Sequence, residues 1–231
     1  AEEVAHDERW CSDELIKPKE GPKKVITWRK DGARMMLIPA GSFEMGDHLN
    51  EGEANELPVH KVELDDFYMD SQEVTVEQFR KFVDESGHKY SRWNEVEKYS
   101  PGDKHPMVYV TWNDAVAYCK WAGKRLPTEF EWEKTARGTD DRLFVWGNEF
   151  KRENANLGKK VLPVGKMKTD VSPFQVHDMN GNVSEWMANW YQPYPNSEYE
   201  DENFGERYKV IRGGAFQKKE HGFMKEFTML S

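Results

Sequence analysis

Residues 111–138 read TWNDAVAYCKWAGKRLPTEFEWEKTARG, and this stretch sets the fold class because it contains two helices together with their end signals. Thr111 and Thr128 each precede a helical pattern, and an acidic side chain follows three residues after each threonine. A threonine hydroxyl in that place accepts a hydrogen bond from an exposed amide of the first turn. Gly123 and Gly138 come at the opposite ends, where glycine commonly terminates a helix. The stretch therefore predicts two short helices, each ending at its glycine.

The residues before this stretch predict one more helix and several short strands. Thr75 opens a helix that Gly87 ends, with a glutamine completing the capping pair. Segment 35–39 is an apolar strand candidate, and segment 40–46 has the turn chemistry that leads into a second short strand. Segment 59–70 partly alternates apolar and polar residues, as a half-buried strand does, and is predicted to pair with the first two.

The order of these elements indicates an α+β fold class. Strands come first, helices follow, and the sequence beyond residue 138 is mostly loop with short strands. Strand and helix do not alternate as a parallel sheet requires. We therefore expect one domain over residues 34–231, with little regular secondary structure, three main helices and short antiparallel strands. Residues 1–33 are charged and interrupted by Pro and Gly, and are predicted to form an N-terminal extension.

Composition excludes two classes of partner. The 231 residues carry 33 Lys+Arg against 42 Asp+Glu, a net charge of −9 at pH 7, and contain no basic tract. A nucleic-acid backbone is therefore not an expected partner. No window approaches the roughly 18 apolar residues of a membrane span, so no transmembrane segment is expected.

Two features bear on the cellular compartment. The chain starts at Ala1 rather than Met, which is how a protein looks after a signal peptide has been removed, although an arbitrary starting point would look the same. From this start we expect a periplasmic or secreted protein. Cys11 and Cys119 allow one disulfide bridge or two free thiols, and their number does not decide between them.

The loop DMNGNVSEW at 178–186 carries the strongest chemical signal in the sequence. Asp178 and Glu185 flank a Gly turn rich in amide and backbone oxygens, which is the hard-oxygen environment that Ca²⁺ prefers. The spacing is not that of an EF-hand. The alternative is an Asx turn in which the carboxylates accept hydrogen bonds from backbone amides, and spacing alone favours the two interpretations about equally. The sequon at Asn182 is expected to be buried.

Other catalytic or metal patterns are missing from the sequence. The seven histidines include no pair at helical i, i+4 spacing, so the sequence does not predict a histidine site for a transition metal. Glu129, Glu131 and Glu133 are spaced two residues apart, and residues i and i+2 point apart on a helix, so these glutamates are expected to complement the helix dipole. No nucleophile elbow, Walker loop or dinucleotide-binding fingerprint occurs.

A series of motifs nevertheless forms a known pattern from about Met35 onward. In order, they are IPAGSFEMG at 38–46, PVH at 58–60, FYMD at 67–70, EVT at 73–75, HPMV at 105–108, TWNDA at 111–115, WAGKRLPTE at 121–129, EWE at 131–133, WGN at 146–148, GNV at 181–183, EW at 185–186 and RGG at 212–214. This pattern closely resembles the formylglycine-generating enzyme family, the sulfatase-modifying factor domain. The resemblance implies a single compact domain of C-type-lectin-like lineage, rich in loops.

The resemblance also implies calcium sites. In the family, the loop matching 178–185 binds calcium through side chains at the positions of Asp178 and Glu185 and carbonyls at those of Gly181 and Val183. A second family site uses positions that match Asn156 and Leu157, completed by an acidic loop. Here GKKVLP at 158–163 brings cations instead, so we expect one calcium ion rather than two.

The same resemblance argues against the family's catalysis. The enzyme's two copper-binding cysteines fall on Lys218 and Phe223, neither of which is a ligand for copper(I). We therefore expect no copper and no formylglycine-generating activity. The iron-dependent sulfoxide synthases take their metal from an additional helical domain, for which these 231 residues leave no room. The usual closing segment of the family, with its Gly-Phe-Arg signature, is also expected to be missing.

Two functional hypotheses follow. The first is a non-catalytic, calcium-stabilised binding or scaffold module, an exported accessory subunit of a larger protein complex, with 47–58 and 190–195 as candidate contact surfaces. The aromatic residues of 190–195 could equally belong to the core. The second is an unorthodox oxidase of the same superfamily, acting in siderophore or peptide maturation through carboxylates such as Glu220 or Glu226. We rank the first higher because the sequence identifies no catalytic group.

Overall fold

A computed structural model describes residues 22–216 of the chain. The strands are β1 Val25–Thr27, β2 Arg34–Ile38, β3 Gly41–Met45, β4 His60–Leu64, β5 Phe67–Asp70, β6 Glu185–Trp190 and β7 Lys209–Arg212. The helices are α1 Val76–Ser86, α2 Trp93–Tyr99, α3 Trp112–Ala122 and α4 Glu129–Arg137, with short 3₁₀ turns at Ala54–Glu56 and Arg152–Asn154. This order confirms the α+β class with short antiparallel strands.

The strands form three small antiparallel sheets in the described part of the chain. One has the order β1-β2-β5, and β3-β4 and β6-β7 form the two others. The segment 59–70, predicted as one strand, is two: β4 pairs with β3, and β5 pairs with β2. The exposed pair Asp65 and Asp66 separates them. The chain changes sheets at these two aspartates, so its pairing with both earlier strands is as expected.

The ordered fold starts before residue 34, where the sequence placed the domain boundary. β1 pairs with β2 over residues 25–27. Asp31 is buried and accepts hydrogen bonds from Tyr118 Oη at 2.8 Å and Lys124 Nζ at 2.7 Å. Burying apolar and ionic groups of this segment against β2 and α3 joins it to the domain. Residues 1–21, including Cys11, lie outside the described residues.

The three predicted helices are present with their predicted ends. The hydroxyls of Thr75, Thr111 and Thr128 accept from the amides three residues on, and each helix has a complete capping box. Helix α2 was not predicted, because its N-cap Arg92 makes no side-chain capping bond. Its Val96 packs into the aromatic core between α1 and α3. None of the helices within residues 22–216 is both long and apolar enough to cross a bilayer.

Candidate metal centre and cavity

A cavity of about 430 Å³ lies between the β1-β2-β5 sheet, α3, α4 and the segment 176–186. Its walls are largely apolar and include Met35, Met69, Val110, Trp132, Val176 and Trp186. Polar side chains stand at its margin, among them Lys124, Cys119, Glu73 and Glu185. A volume in this range and apolar walls with a few polar groups are typical of ligand sites.

Lys124 is neutralised by two carboxylates at this margin. Its Nζ lies 2.7 Å from Asp31 Oδ2 and 2.8 Å from Asp70 Oδ1. Burial raises the pKa of Asp70, and the Lys124 ammonium opposes that rise. Lys124 is therefore an ion-paired structural group rather than a free amine.

Cys119 is the free cysteine of the described chain. Burial, followed by the nearby charge of Asp70, raises the pKa of its thiol to about 12. The sulfur is therefore protonated at neutral pH, whereas nucleophiles and copper ligands are thiolates.

The loop 178–185 is built around buried amides. Asp178 and Asn182 adopt positive φ angles of 59° and 68°. Asn182 is 1% exposed, donates from Nδ2 to Glu73 Oε1 at 3.0 Å, and accepts from Leu162 N at 2.9 Å. A Cβ on Gly181 would lie 2.8 Å from Asn156 N, so only glycine fits this close approach. The sequon is buried, as expected.

Four acidic side chains lie around this loop and interact electrostatically, and we refer to Glu73, Asp170, Asp178 and Glu185 as the carboxylate cluster. Asp178 Oδ2 accepts from Gly165 N at 2.5 Å, and Glu185 accepts from the indole Nε1 of Trp132. Asp170 accepts from Asn180 N at 2.9 Å. These contacts include backbone amides but are not limited to them, because Glu73 also approaches Asp178 directly.

Burial and mutual repulsion shift the acidity of the whole carboxylate cluster. Burial, and then the charges of Asp178 and Glu185, raise the pKa of Glu73. Burial raises the pKa of Asp170, and it raises the pKa of Glu185 to about 7. Burial also raises the pKa of Asp178, against the opposing hydrogen bond from Gly165. A site that raises four carboxyl pKa values at once favours protons or a cation.

One atom of the carboxylate cluster provides a fit test for such a cation. Glu73 Oε2 is buried and has no hydrogen-bond partner among the described residues. The candidate metal ligands around it are carboxylate, amide and backbone oxygens, which suit calcium better than a soft transition metal. The residues present therefore fit a calcium ion, and the carboxylates of Asp178 and Glu185 would supply the negative charge that balances it.

The residues of the proposed second site are engaged elsewhere. Asn156 Nδ2 donates to Lys160 O at 3.0 Å and to Asn182 Oδ1 at 2.9 Å. Leu157 O accepts from the guanidinium of Arg152 at 3.0 Å. Asn156 thus braces the 178–185 loop, and a cationic side chain already holds the Leu157 carbonyl.

Helix α4 and the end of β7 form a second ionic group that the sequence did not predict. We refer to Glu129, Glu133, Arg137 and Arg212 as the arginine cluster. Arg212 Nη2 lies 3.2 Å from Glu133 Oε2 and 3.5 Å from Glu129 Oε2. Arg137 Nη2 lies 3.2 Å from Glu133 Oε1. A comparison of glutamates two residues apart could not reveal this cluster. Glu129 and Glu133 are four residues apart, so they share one face of the helix and both contact Arg212.

The aromatic side chains of segment 190–195 are buried or half-buried, whereas Gln192, Pro193 and Pro195 are exposed. Tyr194 is buried and packs with Phe43 and Met45. Lys209 Nζ lies 3.6 Å from the centre of the Trp190 ring and 4.2 Å from that of Trp112. The core alternative is thus the one that the structure supports for these aromatic residues.

Sequence comparison is consistent with this architecture. The protein family described as "Sulfatase-modifying factor enzyme 1-like domain" matches residues 23–229. The chain belongs to this family. Mouse formylglycine-generating enzyme is 33% identical over 217 residues, covering 68% of this chain and 58% of the enzyme. Bovine inactive Cα-formylglycine-generating enzyme 2 is 34% identical over 214 residues, covering 68% of this chain and 71% of that protein.

Two further likenesses show how widely this family fold is used. Serine/threonine-protein kinase pkn1 of Chlamydia pneumoniae is 34% identical over 232 residues, covering 90% of this chain but 36% of the kinase. The structure of PvdO from Pseudomonas aeruginosa has a TM-score of 0.67 and 26% identity, covering 83% of this chain and 85% of PvdO. The chain spans less than two thirds of the mouse and chlamydial relatives, so their activities do not transfer with the family.

Proposed function

We propose that this sulfatase-modifying factor domain is a non-catalytic binding or scaffold module, stabilised by one calcium ion. In this proposal it serves as an exported, periplasmic or secreted, accessory subunit of a larger protein complex. The observation that carries the proposal is the carboxylate cluster, whose Glu73 Oε2 lacks a partner within the described residues. Asp178 and Glu185, with the carbonyls of Gly181 and Val183, would hold the ion.

Calcium would act here as a structural clamp. The loop 178–185 leads from the buried Asp178 into β6, and Glu185, the first residue of β6, also contacts Trp132 of α4. An ion that bridges Asp178 and Glu185 would tie these elements together and remove the repulsion between their charges. Because such an ion binds the folded state only, it would stabilise the fold by mass action.

The lack of catalysis is supported by the state of the available groups. Cys119 is held as a thiol, and Lys124 is paired with two carboxylates. The positions of the family's copper ligands carry Lys218 and Phe223, which lie outside the described residues. The likeness to a protein named inactive Cα-formylglycine-generating enzyme 2 is compatible with a family member that does not convert cysteine.

A partner-binding role is supported by two observations. The cavity presents apolar walls of ligand-site size. In the chlamydial kinase the matching region is about a third of a longer chain, so the domain occurs there as one part of a larger protein. A scaffold domain within a larger assembly accounts for both.

An unorthodox oxidase is the alternative, and the likeness to PvdO is compatible with either role. Its candidate carboxylates, Glu220 and Glu226, lie outside the described residues. The two proposals differ in a simple assay. Purified protein supplied with copper(I) and oxygen should form no formylglycine in a sulfatase Cys-x-Pro-x-Arg peptide by mass spectrometry. It should also consume no more oxygen, with peptide or siderophore precursors, than a protein-free control that contains the same copper(I). Formylglycine, or oxygen uptake above that control, would contradict the scaffold proposal.

The scaffold proposal makes its own positive prediction. Size-exclusion chromatography of the protein from native extracts should give a complex of fixed stoichiometry in calcium. Asp178→Asn should dissociate that complex, whereas Asp66→Asn, which removes an exposed carboxylate between β4 and β5, should leave it intact. A protein that elutes alone in calcium, or a complex unaffected by Asp178→Asn, would contradict the proposal.

A further inference from the structure

Three side chains outside the cavity and the carboxylate cluster converge on one point. His48 Nε2 lies 3.8 Å from Glu44 Oε2 and 3.6 Å from Asp141 Oδ1. Their ligand atoms all lie within 4.8 Å of one another. Glu44 belongs to β3, His48 to the loop after it, and Asp141 to the loop after α4. Two separate parts of the fold thus supply one nitrogen and two carboxylate oxygens.

The loop around His48 is fixed in place by its neighbour Asp47. The Asp47 carboxylate accepts from Leu49 N at 3.1 Å, Glu51 N at 3.2 Å and Gly52 N at 3.0 Å. These three backbone hydrogen bonds hold the turn and orient the imidazole before any ligand arrives.

The imidazole presents an unpartnered nitrogen to the two carboxylates. The His48 side chain is 10% exposed, and its Nε2 is buried without a hydrogen-bond partner among the described residues. The Nδ1 atom lies 3.0 Å from Gly46 O. A proton on Nδ1 that is donated to this carbonyl leaves the Nε2 lone pair directed at two anions, which is unfavourable unless a cation lies between them.

Arg137 contacts the other nitrogen of the His48 ring. Its Nη1 lies 3.1 Å from His48 Nδ1. A guanidinium has only N–H donors, so this contact is a hydrogen bond where Nδ1 is the acceptor. If Nδ1 instead accepts from Arg137, a proton on Nε2 would face carboxylates at 3.6 and 3.8 Å, beyond hydrogen-bond distance. Each tautomer leaves the Nε2 edge without a direct protein partner.

We propose that Glu44, His48 and Asp141 form a site for a divalent transition-metal ion of the zinc class. Zinc binds nitrogen and oxygen at about 2.0–2.2 Å, so neighbouring ligands of a tetrahedral site lie roughly 3.3 Å apart. The carboxylates of Glu44 and Asp141 are both 66% exposed and can close the remaining gap by rotation. The Nδ1–Gly46 hydrogen bond is the second contact that zinc-bound histidines typically make.

The nitrogen ligand separates this site chemically from the oxygen-rich loop at 178–185. Calcium selects oxygen ligands, whereas zinc readily takes an imidazole. Three protein ligands leave a fourth position for solvent or for a ligand from a partner protein. Arg137 does not exclude the ion, because its charge is balanced by Glu133 at 3.2 Å.

Calorimetric titration of Zn²⁺ into tag-free, calcium-saturated protein tests the proposal independently of the calcium loop. We expect one equivalent to bind in the unaltered protein. Each of three substitutions, His48→Gln, Glu44→Gln and Asp141→Asn, should raise the dissociation constant for zinc at least about tenfold. A tenfold loss is the low end of what is typical even when the substituted residue only contacts a metal ligand. Glu63→Gln, which removes the same charge from the same exposed face of the β3-β4 hairpin, should change it less than twofold.

The melting temperature in calcium alone verifies that each variant folds. Substitution of Co²⁺ provides a second readout, since the visible spectrum of tetrahedral cobalt should appear in the unaltered protein and disappear in His48→Gln. Absence of zinc binding, or equal affinity in the unaltered protein and in His48→Gln, would overturn the proposal.

Discussion

The carboxylate cluster and the arginine cluster lie against the same tryptophan but balance their charges differently. Glu185 accepts from the indole nitrogen of Trp132, and the Arg212 guanidinium lies 6.0 Å from the centre of that ring. The arginine cluster has two glutamates and two arginines, so the protein itself supplies the compensating charge. The carboxylate cluster has four acids and raised pKa values. The difference fits an arginine cluster that is complete without a ligand, and it supports the proposal that the carboxylate cluster takes a cation.

The largest effect on stability is expected from removing Arg212 from the arginine cluster. Arg212→Leu removes the ion pair of the buried Glu129 and leaves Glu133 paired with Arg137 alone. Removing one partner of a buried ion pair typically costs about 3–5 kcal/mol. Urea unfolding should show this decrease in the free energy of unfolding equally with calcium and with chelator. A decrease below about 1 kcal/mol, or one that calcium abolishes, would contradict the view that this cluster is independent of metal.

The pH dependence of the calcium-free protein is the next largest effect. A carboxyl group whose pKa is higher in the folded state stabilises the fold below its unfolded pKa, and this contribution is lost as the pH rises through the folded value. The pKa of Glu185 rises from 4.5 to about 7. Between pH 5 and pH 8 the calcium-free protein should lose about 2 kcal/mol of stability. Equal or greater stability at pH 8 in chelator would contradict the shift.

The smallest effect comes from a matched pair of neutralising substitutions. Glu73→Gln keeps the oxygen that Asn182 Nδ2 contacts and removes one charge from the carboxylate cluster. It should stabilise the calcium-free protein by about 1 kcal/mol. Glu133→Gln removes a charge that two arginines compensate and should destabilise it. Thermal melts in chelator compare the two variants, and shifts of the same sign would remove the distinction between the clusters.

Helix starts that depend on residues close together in the sequence were predicted correctly. The capping boxes at Thr75, Thr111 and Thr128 define helix starts within four residues, and all three helices are found. Helix α2 begins after its N-cap residue Arg92, which makes no side-chain capping bond. The packing of Val96 into the core, rather than an end signal in the sequence, therefore accounts for this helix. The α+β class was predicted from the order of strands and helices along the chain, and the described elements confirm it.

Contacts between distant residues could not be predicted in this way. Arg212 and Glu133 are 79 residues apart, and no spacing rule connects them. The same holds for His48 and Asp141, which meet only because the loops after β3 and α4 lie side by side. A search for histidine pairs at helical spacing could not find a site that has one histidine. Asp178 and Glu185 were accessible to sequence reasoning because one short loop carries both.

Calorimetric titration of calcium into metal-free protein tests the central claim most directly. We predict one equivalent bound per chain, and a gain of about 2.7 kcal/mol in unfolding free energy when free calcium is one hundred times the dissociation constant. Asp178→Asn should abolish both the heat and the gain, while Asp66→Asn should change neither. A titration without binding heat, together with unfolding unchanged by calcium in verified metal-free protein, would show that Asp178 and Glu185 serve only as hydrogen-bond acceptors.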